Sequence, residues 1–514
     1  MRNVLTRPVW AAGAAATAAA LVVSLAVTPA TAAPNNNDSA KLRAAVTVDG
    51  VMRHMTALDA IGKANGDNRY AGLPGYDRSV DYVVEELTRA GYAPTTQEFT
   101  YLGFREVSAP VLEIAGRALI QDTDFATMTY SGSGDVTGRA TAPSGAATGC
   151  APADFTGFPA GQVAVVSRGA CTFRVKATNA LAAGAGAVVL YNNAPGPLNG
   201  TLGAGDLASG SVVGTTRQIG LTLVATTPLV RVVTRTQGGK LTTRNVLAEL
   251  PGRSGDTNTV MIGAHLDSVA AGPGINDNGS GSAGILETAI QMAKTKPRNT
   301  VRFAWWSAEE SGLVGSNHYV DTLTQQQRDK IALYLNFDMI GSPNYARFVY
   351  DGDNGTFPVG TGVAAGPAGS AQIEALFEEY FASQGLASEP TPFSGRSDYG
   401  RFIAFGIPSG GLFTGAEGIK TPAQAAKFGG TAGVAYDACY HLRCDTIANV
   451  NRKAIDEMGD ALAHAAISYA QSTTAVNGVR GKGGYRTPAG GASSGSGTGS
   501  GGGLHDHEHE LDAI

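Results

Sequence analysis

A chain of 514 residues with 43% apolar residues can build two ordinary domains, or one large domain carrying an insertion, around a substantial core. Its formal net charge of −5, with no basic stripe, excludes the tracking of phosphate backbones, so nucleic acid is not an expected partner. Sixty-nine glycines against 16% charged residues read as many tight loops on a globular body, followed by a low-complexity tail.

At the N-terminus Arg2 and Arg7 precede an Ala/Val/Leu-rich run over 10–27 and the small residues Ala30, Thr31, Ala32 and Ala33. This is the pattern of a signal peptide, residues 1–33, cleaved near Ala32 or Ala33; it predicts a secreted, extracellular product with no membrane association afterwards. The apolar run is long enough to raise an uncleaved anchor as the alternative, but alanine-rich segments insert weakly. No later segment is apolar enough to span a bilayer.

Residues 38–104 open a domain: Val80, Val83, Val84 and Leu87 stand at helical spacing, Gly91 ends the pattern, and 95–101 reads as a strand. Over 105–240 the composition changes to short Val/Ala/Gly-rich strands and turns with one helix at 173–183, which predicts an inserted β-rich module. Strand and helix then alternate through 241–475: strands at 260–264, 301–306 and 332–337, helices at 283–294 and 452–469. Such alternation predicts an α/β sandwich with a mostly parallel central sheet. Residues 476–514, Gly/Ser-rich and ending near His505-Asp506-His507-Glu508-His509-Glu510, read as a disordered tail.

The four cysteines, Cys150, Cys171, Cys439 and Cys444, are expected to form disulfides in an exported chain. Three pairings are possible; proximity favours Cys150 with Cys171 and Cys439 with Cys444.

Ligands bind beyond the carboxyl ends of the strands in an open α/β sheet, so polar residues just there carry the candidate chemistry. His265 follows the run 260–264, Glu309 and Glu310 follow 301–306, and Asp338 follows 333–337. Asp277 sits in the Gly-rich loop 274–281, and His441 lies between Cys439 and Cys444. Two imidazoles and three carboxylates suit a pair of divalent metals about 3.5–4 Å apart that share one carboxylate. Glu309 is then left over beside a ligand, the place for a general base. Singly, each has a blander reading: His265 as a strand-end histidine, Asp277 as a turn former, Glu309-Glu310 as a helix start. The glycine loop lacks a P-loop lysine, which removes phosphate as its ligand. His318 and His464 fall on helices as core or surface residues, and His54 has no partner legible in the sequence.

On these residues the chain resembles the secreted bacterial leucyl-aminopeptidase-type, co-catalytic dizinc peptidases. The matching segments are Ala264-His265-Leu266-Asp267-Ser268, Asn276-Asp277-Asn278-Gly279-Ser280-Gly281, Ser307-Ala308-Glu309-Glu310-Ser311-Gly312, Asn336-Phe337-Asp338-Met339-Ile340-Gly341, and Cys439-Tyr440-His441 with Cys444-Asp445-Thr446. The resemblance covers about 245–471 together with the helical opening near 76–92. It implies a three-layer α/β/α sandwich of the zinc exopeptidase kind and two Zn²⁺ per chain. Asp277 would bridge the ions, with His265 and Asp338 on one and Glu310 and His441 on the other. It further implies Glu309 as the base, Asp267 as the carboxylate that orients His265, and Tyr440 as hydrogen-bond donor to the developing oxyanion. Arg396, in Gly395-Arg396-Ser397-Asp398, and Phe413, in Gly410-Gly411-Leu412-Phe413, are implied contacts to the substrate's N-terminal residue, which the resemblance makes large and apolar, such as leucine.

The insert resembles a protease-associated domain on Cys150, 163–166, Ser167-Arg168-Gly169-Ala170-Cys171-Thr172-Phe173, Lys176 and 184–192. The expected partners are peptides or proteins with a free N-terminus. A monomer is favoured, and a calcium site is left open. Competing readings are another zinc exopeptidase, a glutaminyl-cyclase-like enzyme of the same fold, and a non-catalytic protease-associated ectodomain.

Overall fold

The structure is a computed structural model, described for residues 36–478 except 122, 194–197, 199, 204, 254–257 and 361. The expected signal peptide and nearly all of the expected tail, with its histidine cluster, lie outside the described residues.

Four parallel strands form the centre of the sheet, in the order Ser409–Phe413, Ile331–Phe337, Thr259–His265, Thr300–Trp306. Three of them, Thr259–His265, Thr300–Trp306 and Ile331–Phe337, are buried along nearly their whole length, as parallel strands covered on both faces must be. Their alternating side chains divide between two apolar clusters. Val260, Ile262, Phe303, Trp305, Leu333 and Leu335 pack with the helices Val48–Ala64, Pro74–Arg89, Gly279–Met292 and Arg452–Gln471. Met261, Ala304, Trp306 and Tyr334 pack on the other face with Tyr319 of the helix Val314–Thr322 and Phe402. The result is the expected mixed α/β sandwich. It is less uniformly parallel at its margins, where Phe348–Tyr350 pairs antiparallel with Ser409–Phe413 and Leu229–Leu250 pairs antiparallel with Thr300–Trp306.

The opening helices follow from local chemistry. Pro74–Arg89 begins on proline, carries Asp77 in its first turn and Arg89 in its last, and buries Tyr76, Val80, Val83 and Leu87 at i, i+4, i+7, i+11. The strand expected at 95–101 is in fact Thr95–Ile114. It pairs antiparallel with Leu229–Leu250 along most of both strands, and this two-stranded ribbon runs out of the peptidase sheet into the insert. There the sheet continues through Gly134–Thr141, Val163–Ser167, Ala187–Tyr191 and Ser211–Thr215. The helix expected at 173–183 is Phe173–Ala182; a second, Arg217–Thr226, has no strong apolar periodicity and was not anticipated. Both disulfides form as proximity favours, Cys150–Cys171 and Cys439–Cys444.

His54 corrects its sequence reading. It is fully buried, with Nδ1 2.7 Å from the Tyr82 hydroxyl and Nε2 3.2 Å from Glu287 Oε2, partners brought in from neighbouring helices that no local pattern announces. His464 lies 2.7 Å from Ser39 Oγ and stacks on Tyr380, and His318 stacks on Phe99.

Candidate metal centre

The carboxyl ends of the four parallel strands share one edge of the sheet, and the candidate ligands gather there. His265 ends its strand, Asp338 follows Phe337, and Glu309 and Glu310 lie in the turn after Trp306. Asp277 arrives on the loop before the helix Gly279–Met292. That helix is held against the neighbouring strand by Asn278, whose Oδ1 accepts from the Gly281 and Met339 amides while Nδ2 donates to the Phe337 carbonyl. Glycine at 281 is required: a Cβ there would stand 2.1 Å from the Phe337 oxygen. Ala308, Met339 and His441 adopt positive φ of 56°, 50° and 59°. Each is a candidate ligand or the neighbour of Glu309 or Asp338, so backbone strain of about 1–3 kcal/mol apiece is concentrated at the site.

The five residues converge in two groups that share one carboxylate. His265 Nε2 lies 3.2 Å from Asp277 Oδ1 and 3.4 Å from Asp338 Oδ1. His441 Nε2 lies 3.1 Å from Asp277 Oδ2 and 3.0 Å from Glu310 Oε2. Asp277 therefore offers one oxygen to each imidazole, and each group of three can close on a single ion. Glu309 stands beside them, its Oε2 3.9 Å from His265 Nε2, and it forms a further group of three with His265 and Glu310.

Electrostatics without ions is severe. Burial pulls the His265 imidazole down, but Glu309, Asp338, Asp267 and Asp277 outweigh it and hold its pKa well above the ordinary value. His441 is likewise opposed by burial yet pushed up to about 10 by Glu310 and Asp277. Asp277, which burial would raise, is held well below the carboxylate range by the same two imidazoles. Burial pushes Glu310 up and Glu309 well up, in each case against an opposing imidazole. Two buried carboxylate oxygens, Asp338 Oδ1 and Glu310 Oε1, have no hydrogen-bond partner. An orphaned buried oxygen costs about 1–3 kcal/mol, and bound cations would satisfy both. The donor set of imidazole and carboxylate is the one zinc takes, so the residues present fit the metal pair.

The surroundings orient the ligands. Asp267 meets the His265 ring with both its backbone oxygen, 3.2 Å from Nδ1, and Oδ1, at 3.5 Å. Its carboxylate also accepts the amides of Glu309 and Glu310, at 3.2 and 3.4 Å, so one acid fixes three site residues. Asp338 is aimed by a buried chain: Trp306 Nε1 to Tyr334 OH, Tyr334 OH to Asn336 Oδ1, Asn336 Nδ2 to Ser397 Oγ, and Ser397 Oγ to Asp338 Oδ2. Asp445 accepts the amides of Asn276 and Asp277 at 2.8 and 2.9 Å, which ties the bridging loop to the disulfide-closed segment bearing His441. Ser397, Asn278 and Asp445 lay inside sequence segments already singled out, yet spacing gave them no role. Asp398 carries no such spacing signal either; its carboxyl is buried and is pushed up to about 7, chiefly by burial.

Tyr440 stacks on His441 with centroids 3.8 Å apart. Arg396 is half-exposed and donates to Glu417 Oε1 at 2.8 Å and to the Tyr440 hydroxyl at 3.1 Å. Phe413 ends the strand beside Asp338's, stacks on Phe348, and borders Tyr436 in a small aromatic cluster.

Residues 245–466 match peptidase family M28, and 136–224 match the PA domain. An aminopeptidase of Pseudomonas aeruginosa is 44% identical over 83% of this chain and 82% of its own length. The chain belongs to peptidase family M28. Leucine aminopeptidase 2 of Trichophyton equinum is 42% identical to this M28 peptidase, over 83% of the chain and 85% of its own length. The aminopeptidase from Aneurinibacillus sp. strain AM-1 shares its fold, with a TM-score of 0.64 and 26% identity over 83% of this chain and 95% of that one. The M28 chain with its PA domain is thus a hydrolase of peptide bonds, and zinc is the metal its family implies. Among the described residues no helix is long and apolar enough to cross a membrane.

The raised imidazoles predict that metal loading exchanges protons. His441, held near 10, is protonated at pH 7 in the metal-free protein and would have to be neutral to bind a metal, so zinc uptake should release about one proton from it, and the upward shift of His265 acts in the same direction. Apparent affinity should climb with pH until His441 has deprotonated near 10. Because the folded pKa of His441 exceeds its unfolded value, its contribution to metal-free stability is complete below about 6.5 and fades as pH rises through about 10. Calorimetric titrations in buffers of different ionisation enthalpy measure the release; its absence would contradict the assignment of these rings as ligands.

Proposed function

We propose that this chain is an exported aminopeptidase that holds two zinc ions, one at His265, Asp277 and Asp338 and one at Asp277, Glu310 and His441, and removes the N-terminal residue of peptides and proteins. The observation that carries the reading is Asp277, with Oδ1 3.2 Å from one imidazole and Oδ2 3.1 Å from the other. Export is supported by two disulfides and by the N-terminal charge and hydropathy pattern. A preference for large apolar residues such as leucine is supported by the aromatic cluster around Phe413 and by the name of the fungal relative.

The ions, when bound, supply Lewis acidity toward the scissile carbonyl and lower the pKa of water between them. The side chains do the rest. Glu309, kept proton-hungry by burial and neighbouring acids, takes a proton from the attacking water and returns it to the leaving amine. Tyr440 donates a hydrogen bond from its hydroxyl to the developing oxyanion, while Arg396 donates to that hydroxyl's oxygen. The site's negatively charged ligands hold the substrate's ammonium group, which limits cleavage to the first bond. The PA insert, standing on its ribbon, is not part of the chemistry.

An assay on leucyl nitroanilide with free and with acetylated amino group tests the reading. Cleavage of the free form, with a loss of at least about 10²-fold for the acetylated form, is expected from losing a buried ionic anchor. Equal rates on both would rule out an aminopeptidase while leaving a zinc hydrolase standing.

A further inference from the structure

Arg69 lies in the short segment between the helices Val48–Ala64 and Pro74–Arg89, far in sequence from every ligand, and its side chain is fully buried. Its guanidinium donates three hydrogen bonds, all to backbone carbonyls: Nε to Pro273 at 2.8 Å, Nη2 to Gly274 at 2.6 Å, and Nη1 to Leu266. Its own amide donates to Ser268 Oγ at 2.9 Å, and the Ser268 amide returns a bond to its carbonyl at 3.3 Å.

Those acceptors belong to two segments. Leu266 directly follows His265, and Pro273 and Gly274 begin the turn that delivers Asp277. Gly274 is held at a φ of 60° with no room for a side chain, since a Cβ would lie 2.3 Å from the Asp277 oxygen. The neighbouring residue reaches the other half of the site: Tyr70 OH lies 3.1 Å from Ser311 Oγ, next to Glu310.

We propose that Arg69 is a positioning residue for the metal centre, one that locks the strand end carrying His265 to the turn carrying Asp277 so that both face the same ion. The inference rests on the two-ion reading of the site. A planar fork with five donors spread over three nitrogens reaches carbonyls set apart around it, whereas an ammonium directs its three donors from a single nitrogen. Burying the cation is expensive, yet the charges it faces are those of Asp267, Asp445 and Asp277, so it also offsets part of the negative charge the site accumulates. Burial lowers its pKa to about 10, which leaves it charged at neutral pH. The N-terminal helical pair is thereby part of the metal site.

The test is competition of wild-type protein, Arg69→Gln and Arg69→Lys against a chromophoric zinc chelator, with metal-free thermal stability recorded alongside. Leu462→Ala, a core truncation on the helix Arg452–Gln471, serves as a stability control that touches no ligand. Outer partners of metal ligands typically govern about 10–100-fold in affinity. Both Arg69 variants are expected to bind zinc at least about 10-fold more weakly than wild type, while Leu462→Ala keeps wild-type affinity despite a lower Tm. Zinc affinity unchanged in folded Arg69→Gln, or lost equally in the control, overturns the proposal. Should Arg69→Gln not fold, Ser268→Ala, which removes the bond from the Arg69 amide together with the hydroxyl's bonds to the Val269 and Gly272 carbonyls, is expected to weaken zinc several-fold, and no change there also overturns the proposal. Wild-type protein that takes up no zinc defeats the two-ion reading itself and this inference with it, an outcome distinct from tight wild-type binding with an unaffected Arg69→Gln.

Discussion

Glu309→Gln yields a protein that folds and retains its metal but turns over leucyl substrates about 10³-fold more slowly, within the usual range for a lost general base. The reasoning is geometric. Asp277, Asp338, Glu310, His265 and His441 make up two complete groups of three without Glu309, whose carboxylate stands beside them, 3.9 Å from His265 Nε2. Glutamine preserves the shape and the amide hydrogen bond to Asp267 but cannot accept a proton. A 10³-fold loss corresponds to about 4 kcal/mol of barrier. The expected signature is a fall in kcat with little movement in KM and unaltered zinc content. Loss of metal together with activity would place Glu309 among the ligands instead.

Asp277→Asn should do more damage, because one side chain serves both groups. The amide keeps one carbonyl oxygen and replaces the other with a nitrogen that cannot ligate a cation, so one ion loses a donor and both lose the shared negative charge. Activity is expected to fall to background, at least about 10³-fold, and zinc content to drop to one ion per chain or fewer. The metal-free variant should also be less stable at neutral pH than metal-free wild type, since His441, protonated there, loses a carboxylate that stabilises it, and His265 loses one of the acids that raise its pKa. Metal analysis and a pH-resolved thermal scan separate these effects. A variant that keeps two tightly bound ions would remove Asp277 from its bridging position.

The two substitutions draw on residues that the sequence exposes in different degrees. The central strands were readable because burial on both faces demands unbroken apolar runs, and the polar residue ending each run is where chemistry sits in such a sheet. His265, Glu309, Glu310 and Asp338 were legible for that reason. Asp277 and His441 lie on loops, and only co-occurrence with the others made them conspicuous. The residues that hold the site rigid were not legible. Arg69 acts through backbone carbonyls, which carry no side-chain signature. Ser397 reaches Asp338 across 59 residues, and Asp445 supports Asp277 across 168. His54 found Glu287 in the same way, across 233 residues. Long-range partners of this kind are set by tertiary packing, and a period or spacing in one segment does not encode them.

The outward run of the strand Thr95–Ile114 has a similar origin. Its first residues alternate as a half-buried strand, but beyond Phe104 the chain leaves the core, and exposed residues such as Arg105 and Ser108 continue the pairing only because Leu229–Leu250 runs beside them. The ribbon therefore depends on a partner strand more than 100 residues away, and local sequence marks only its start.

The central claim is that two cations share Asp277. Crystals grown with zinc and measured at the zinc absorption edge test it directly. Two anomalous peaks are predicted, one among His265, Asp277 and Asp338 and one among Asp277, Glu310 and His441, about 3.5–4 Å apart. A single peak, or two that do not both contact Asp277, would contradict the account.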